Sequence, residues 1–127
     1  MRNPRISNRE RGLLKGAIRR VFSRSDLRQT VISASVVRSH IDRTRPRVKT
    51  WCRCAICGEC DAKSSMQVDH KNPIVPVTTS LSEMSWDDLI NNLWCETKNL
   101  DSVCGRCHDI KTQGENVLRR KHKKENK

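Results

Sequence analysis

Two Cys-x-x-Cys elements constrain this chain most: Cys54 with Cys57, and Cys104 with Cys107. Two intervening residues allow both thiolates of an element to reach one ion from a tight turn, and two elements supply the four sulfurs of a tetrahedral zinc site. Hydrophobic residues make up 35% of the chain and aromatic residues 3%, so a large core is not available. We therefore predict that these four cysteines hold a structural Zn²⁺ that stabilises the fold.

The first element has two possible registers, because Cys57 and Cys60 have the same spacing as Cys54 and Cys57. The earlier register is favoured since Gly58 follows it directly and permits a sharp backbone turn. The remaining cysteines are then expected to be small, partly buried residues; they are Cys52, Cys60 and Cys95. Seven cysteines do not suit a closed disulfide framework, and no apolar segment resembles a signal peptide or a membrane span. A cytoplasmic location and a metal-ligand role are therefore expected.

The charge of the chain is strongly basic and uneven. The net charge is +12, with +11 in residues 1–49, −4 in residues 50–118 and +5 in residues 119–127. These ranges predict a basic helical extension, a zinc-containing domain and a basic tail, respectively. Clustered cations favour a nucleic-acid partner, and the scarcity of aromatic residues favours duplex over single-stranded DNA. The predicted DNA phosphate contacts are Arg9, Lys15, Arg19, Arg20 and Lys111.

Periodicity and capping signals predict an α+β fold. Ser7 and Glu10 have capping-box spacing before an apolar stripe, and Ser85 can cap a helix whose first turn is acidic. Alternating apolar and polar residues predict a short strand at residues 66–70. The helices are predicted at residues 7–22, at 25–40, at 85–94, and from about 106 into the tail.

The arrangement of residues in the second half of the chain resembles the HNH nuclease motif. Asp69 precedes His70, Asn99 precedes Leu100, and the second cysteine pair is followed by His108 and then by Lys111 and Thr112. These elements have the order found in that family, and the similarity covers about residues 51–115. Zinc-knuckle members encoded by phages or acting as homing endonucleases are the most similar subgroup. The resemblance implies a ββα-metal core in which a β-hairpin carries Asp69 and His70, and a helix carries His108.

The resemblance also implies roles for these residues. Asp69 and His108 would bind a catalytic Mg²⁺ or Mn²⁺, with Ni²⁺ or Co²⁺ tolerated, while His70 would act as the general base that Asn99 orients. Some family members have a second histidine where this chain has Thr112, so weak metal binding without DNA is expected. The expected activity is metal-dependent hydrolysis of duplex DNA, in the bacterial host cytoplasm if the gene belongs to a phage.

Other interpretations of the same residues stay open at this point. Asn99 can instead be a turn residue that satisfies its own backbone. The chain can be a non-catalytic zinc module that binds DNA, or a nuclease subunit that acts only within a larger phage assembly. Because one small site cuts one strand per event, cleavage of both strands would need a homodimer or two sequential nicks.

Overall fold

A computed structural model describes residues 5–79 and 83–125, so residues 1–4 of the predicted extension and 126–127 of the predicted tail lie outside the described residues. The described residues form four α-helices and two antiparallel sheets of two strands each, which confirms the predicted α+β class. The helices are α1 (Asn8–Ser23), α2 (Asp26–Ala34), α3 (Trp86–Leu93) and α4 (Gly105–Glu125). The strands are β1 (Trp51–Arg53), β2 (Cys60–Ala62), β3 (Gln67–His70) and β4 (Leu100–Val103).

Capping residues begin the helices where the sequence predicts them. The Ser7 hydroxyl accepts a hydrogen bond from the Glu10 amide at 3.1 Å, and the Glu10 carboxylate accepts one from the Ser7 amide at 3.1 Å. This reciprocal pair satisfies two of the amide donors that an α-helix leaves free at its first turn. Ser25 and Ser85 cap α2 and α3 through hydrogen bonds of 3.2 and 3.1 Å. The predicted starts of these three helices are therefore confirmed.

The predicted end of α2 near residue 40 is wrong, because the helix ends at Ala34. The chain then becomes extended: Val36 forms a β-bridge with Cys52, and the Val37 amide donates to the Trp51 carbonyl at 2.8 Å. Branching at Cβ restricts the side-chain rotamers of valine in a helix and suits an extended backbone. Pairing with β1 therefore replaces the last helical turns that the sequence pattern had suggested.

The two N-terminal helices contribute to the core. Ile32 of α2 is 2% exposed and packs in one cluster with Cys52, Met66 and Val103. Phe22 of α1 packs in a second cluster with Leu89 and Leu93 of α3. The segment predicted as a basic extension therefore supplies one buried apolar side chain to each of the two core clusters.

Replacing Ile32 with alanine is expected to lower the free energy of unfolding by about 2–5 kcal/mol, because the substitution leaves a cavity in a packed cluster. Replacing Leu13, which is 58% exposed, with alanine is expected to change the free energy of unfolding little. Urea denaturation of both variants measures the difference. Equal stabilities for the two variants would show that α2 does not belong to the cooperative core.

Strands β3 and β4 and helix α4 position the residues of the predicted site. β3 pairs antiparallel with β4, with Asp69 opposite Asp101 and His70 opposite Leu100. β4 ends at Val103 and α4 begins at Gly105, so a single residue, Cys104, separates them. The predicted strand and the predicted C-terminal helix are both confirmed. Asp69 and His70 lie at the end of β3, and His108 lies in the first turn of α4.

Candidate metal centre and the adjoining cavity

The four cysteines of the paired elements meet in one cluster. The Sγ atoms of Cys54, Cys57, Cys104 and Cys107 all lie within 4.8 Å of one another, and those of Cys57 and Cys104 are 4.0 Å apart. Sulfurs bound to one tetrahedral zinc at about 2.3 Å would be about 3.8 Å apart. The cluster can therefore hold a metal ion such as zinc.

Local backbone geometry explains why the earlier register is the one used. Cys54 directly follows β1, and Gly58 has a positive φ of 74° that closes the turn after Cys57. The Gly58 amide donates to the Cys54 carbonyl at 3.0 Å. Glycine adopts this left-handed conformation without the steric penalty that a side chain would add.

The cluster lowers the thiol pKa of Cys54 and raises that of Cys107. Burial opposes ionisation of Cys54, but hydrogen bonds from the backbone amides of Cys57, Cys104 and Ile56 outweigh it and lower the thiol pKa to about 6. The neighbouring thiol of Cys104, followed by burial and the thiols of Cys54 and Cys57, raises the pKa of Cys107 to about 12. Four thiolates at such short separations need a cation among them, as a metal ion provides.

A cavity of about 410 Å³ contains three of the other predicted residues, and Asn99 is not among those that line it. Asp69 and His70 both line it, together with His108 and Thr112 from α4. Neighbouring side chains of a strand normally point to opposite faces, so one site can use both only near the end of the strand. His70 is the last residue of β3, which meets that condition.

The His70 ring is buried and held in one orientation. It is 8% exposed, its centroid is 5.3 Å from that of Phe22, and its Nε2 lies 3.0 Å from the Leu93 carbonyl oxygen. Because a carbonyl only accepts, Nε2 carries the proton and Nδ1 keeps its lone pair. Burial lowers the pKa of His70 despite opposing contributions from Leu93 and Asp69, which favours the neutral ring.

Asp69 is 7% exposed and is paired with a lysine. The Lys111 ammonium donates to Asp69 Oδ2 at 2.5 Å and to the His70 carbonyl at 2.7 Å. Lys111 was predicted as a DNA phosphate contact, but in the structure its charge is directed at Asp69. Glu115 Oε1 lies 3.9 Å from the same ammonium, so two carboxylates share this cation.

His108 faces the other carboxylate oxygen of Asp69. Its Nδ1 is 3.9 Å from Asp69 Oδ1, beyond hydrogen-bond distance. This Nδ1 atom is buried and has no hydrogen-bond partner within residues 5–79 and 83–125. A buried polar atom without a partner carries an energetic cost, and a ligand at that position would remove it.

Asn99 is not among the residues that line the cavity, and its backbone lies at the end of the β3–β4 pair. Its carbonyl accepts a hydrogen bond from the Lys71 amide at 2.8 Å, which closes the end of the β3–β4 pair. The Leu93 carbonyl contacts Nε2 of the His70 ring, and the predicted orienting role of the Asn99 side chain stays a prediction.

The predicted DNA contacts on α1 divide into two groups. Arg9, Arg19 and Arg20 are exposed, as a phosphate contact requires. Lys15 is only 2% exposed, and its ammonium lies 5.6 Å from the centroid of the Trp86 ring. A buried ammonium cannot reach DNA phosphates on the outer surface, so the predicted phosphate contact at Lys15 is wrong. Lys15 instead forms a cation–π contact that joins α1 to α3.

Three charged residues that line the cavity were not predicted from the sequence. Glu115 and Arg119 extend the face of α4 that starts at His108, at spacings of seven and eleven residues, so helical periodicity alone could have found them. Arg28 reaches the cavity from α2 and contacts the Met66 carbonyl 38 positions away, and no local pattern signals such a contact.

No protein-family model, curated protein or solved structure shows significant similarity to this chain. Among the described residues, no helix combines the length and the apolar character that a membrane crossing needs.

Proposed function

We propose that this protein is a metal-dependent HNH-type DNA endonuclease that hydrolyses phosphodiester bonds of duplex DNA. One observation carries the proposal. Asp69 Oδ1 and the buried Nδ1 of His108, which has no hydrogen-bond partner among the described residues, lie 3.9 Å apart in the cavity that also contains His70.

The order of the surrounding elements supports this proposal. β3 and β4 form an antiparallel pair although α3 lies between them along the chain; α4 directly follows β4 and packs against β3. A ββα-metal core requires this order, with the carboxylate and base on the strand and a further ligand on the helix. The cysteine cluster includes Cys107, the residue before His108, so a zinc there would hold the start of α4 in place.

The donor atoms fit a hard divalent cation. Two ligand atoms bound at about 2.1 Å to one octahedral ion lie about 3.0–4.2 Å apart, a range that includes the distance between Asp69 Oδ1 and His108 Nδ1. A carboxylate suits Mg²⁺, and an imidazole ligand extends tolerance to Mn²⁺, Ni²⁺ or Co²⁺. When bound, the ion would offset negative charge on the phosphate during hydrolysis.

The roles of the side chains follow from their hydrogen bonds. His70 presents Nδ1 as the base that takes a proton from the attacking water, because Nε2 is occupied by the Leu93 carbonyl. Asp69 would hold the ion through Oδ1, while Lys111 donates a hydrogen bond to Oδ2. The exposed arginines of α1 supply phosphate contacts that do not depend on base sequence.

A supercoiled-plasmid assay tests the proposal. Zinc-loaded protein is incubated with Mg²⁺, with Mn²⁺ or with EDTA, and nicked and linear products are separated on a gel. Metal-dependent nicking or linearisation is expected, and the ratio of the two products reports how many strands each event cuts. If the folded protein bound the plasmid but did not cut it with any of these ions, a nuclease that acts alone would be excluded. The assay would then be repeated with candidate phage assembly partners added.

The alternative is a non-catalytic zinc module that binds DNA. One observation favours it: Asp69 already has a cationic partner in Lys111, as expected for a purely structural ion pair. Such a module needs the basic surfaces and the cysteine cluster but no divalent ion at Asp69. The plasmid assay separates the two functions.

Replacing Lys111 with methionine gives a test of the divalent site that does not depend on cleavage. The variant is expected to lose about 1–3 kcal/mol of stability, because the buried Asp69 carboxylate loses its main partner. Mn²⁺ is then expected to raise the unfolding temperature of the variant more than that of the wild type, since the ion can occupy both carboxylate oxygens. Thermal melts with and without Mn²⁺ measure both effects.

The matched control is Lys98→Met, since Lys98 is an exposed lysine that pairs with Glu96 outside the cavity. This variant should melt like the wild type in both conditions. If Mn²⁺ stabilised neither the wild type nor Lys111→Met, Asp69 and His108 would not form a divalent site.

A further inference from the structure

Three arginines from three different helices line the cavity that contains Asp69 and His70. They are Arg19 of α1, Arg28 of α2 and Arg119 of α4. Within residues 5–79 and 83–125, none of the three guanidinium groups forms a salt bridge with a carboxylate. Unpaired positive charge that converges on one cavity favours an anionic ligand.

Backbone carbonyls hold two of these arginines in place. Arg119 Nη2 donates to the Val75 carbonyl at 2.6 Å, and Arg28 Nη2 donates to the Met66 carbonyl at 3.3 Å. These contacts fix the side chains without neutralising them, so other N–H donors stay available. The Nε of Arg119 is buried and has no hydrogen-bond partner in the described part of the chain. A fixed guanidinium with spare donors is well suited to phosphate oxygens.

The positive surface continues beyond the cavity. Arg28 also lines a second cleft, in which Arg47, Lys49 and Lys63 lie. A ligand with one phosphate would leave these cations without a partner, whereas a chain of phosphates can follow them from the cavity into the cleft. The arrangement therefore favours a polynucleotide over a mononucleotide or a free phosphate ion.

We propose that Arg19, Arg28 and Arg119 form a clamp for the phosphates on either side of the bond that is cut, with the DNA backbone leaving the cavity past Arg28. This inference rests on the proposed action on DNA and adds the path of the substrate strand. The clamp arginines come from the N-terminal helices and the end of α4, so the basic segments would meet the substrate inside the cavity as well as on the outer surface.

Binding is tested in a background that cannot cut. Zinc-loaded His70→Ala protein without added Mg²⁺ or Mn²⁺ is titrated with a short fluorescent duplex, and affinity is measured by anisotropy over a range of salt concentrations. Arg28→Gln and Arg119→Gln are each expected to reduce the slope of log K against log salt by about one, because each removes one phosphate contact. Arg24→Gln and Arg120→Gln, two exposed arginines that do not line the cavity, are the matched controls.

A second measurement uses the wild-type chain and avoids variants that fail to fold. Arginine modification by phenylglyoxal is followed by mass spectrometry with and without the duplex. Protection of Arg28 and Arg119 but not of Arg120 is expected, and equal modification in the two samples would overturn the clamp. Equal loss of salt dependence in all four glutamine variants would also overturn it. If the clamp variants alone weaken binding while the wild type cuts no plasmid, the clamp stands and only the nuclease proposal fails.

Discussion

Replacing His70 with glutamine is expected to slow plasmid cleavage by about 10²–10⁴-fold, the usual contribution of a positioned general base. Glutamine is close in size and offers an N–H that can still donate to the Leu93 carbonyl, so the packing around Phe22 should be kept. It has no group that can take a proton from water near neutral pH. The rate is measured as first-order loss of supercoiled plasmid in saturating Mg²⁺.

Two controls make this result specific. His122→Gln changes a histidine near the C-terminal end of α4, outside the cavity, and is expected to cut at the wild-type rate. The unfolding temperature of His70→Gln should stay near that of the wild type, which separates loss of the base from loss of the fold. If His70→Gln cut at the wild-type rate, His70 would not be the general base, and the proposed mechanism would keep only the metal-assisted attack of water.

Local signals in the sequence predicted much of this structure. Serine caps at Ser7, Ser25 and Ser85 act within three residues along the chain, so their effect can be read without the fold. The cysteine cluster could also be predicted from the sequence, because Cys-x-x-Cys spacing is a local geometric requirement and Gly58 marks the turn.

The remaining features depend on contacts between distant segments. Helix α2 ends early because Val36 pairs with Cys52, sixteen residues later. The sequence pattern predicted Lys15 to be a surface cation, but in the structure it packs against the Trp86 ring. His70 Nε2 contacts the Leu93 carbonyl, a backbone group that every residue has. Backbone acceptors and tertiary burial have no residue-type signature, so neither the Leu93 contact nor the burial of Lys15 could be predicted from sequence patterns.

Replacing Cys57 with serine is expected to have the largest effect on stability. Apparent binding free energies of structural zinc are about 10–16 kcal/mol in small zinc domains, comparable with the whole stability of an ordinary domain of about 5–15 kcal/mol. Cys57 is exposed, so its replacement would remove a predicted zinc ligand without opening a cavity in the core. The variant should therefore lose bound zinc and its cooperative thermal transition, as circular dichroism and zinc analysis would measure.

Cys95→Ser is the matched control, because Cys95 lies outside the cluster and its replacement should leave about one zinc per chain and the wild-type melting curve. Loss of zinc is also expected to abolish cleavage. Cys107 immediately precedes His108, and the Ala55 amide donates to the Ser102 carbonyl at 2.9 Å, so the turn that carries Cys54 and Cys57 contacts β4, which leads directly into α4. Cys57→Ser should thus lose both stability and cutting, whereas His70→Gln should lose cutting alone. If Cys57→Ser kept its zinc and its melting temperature, the cluster would not be the centre that holds His108 in place.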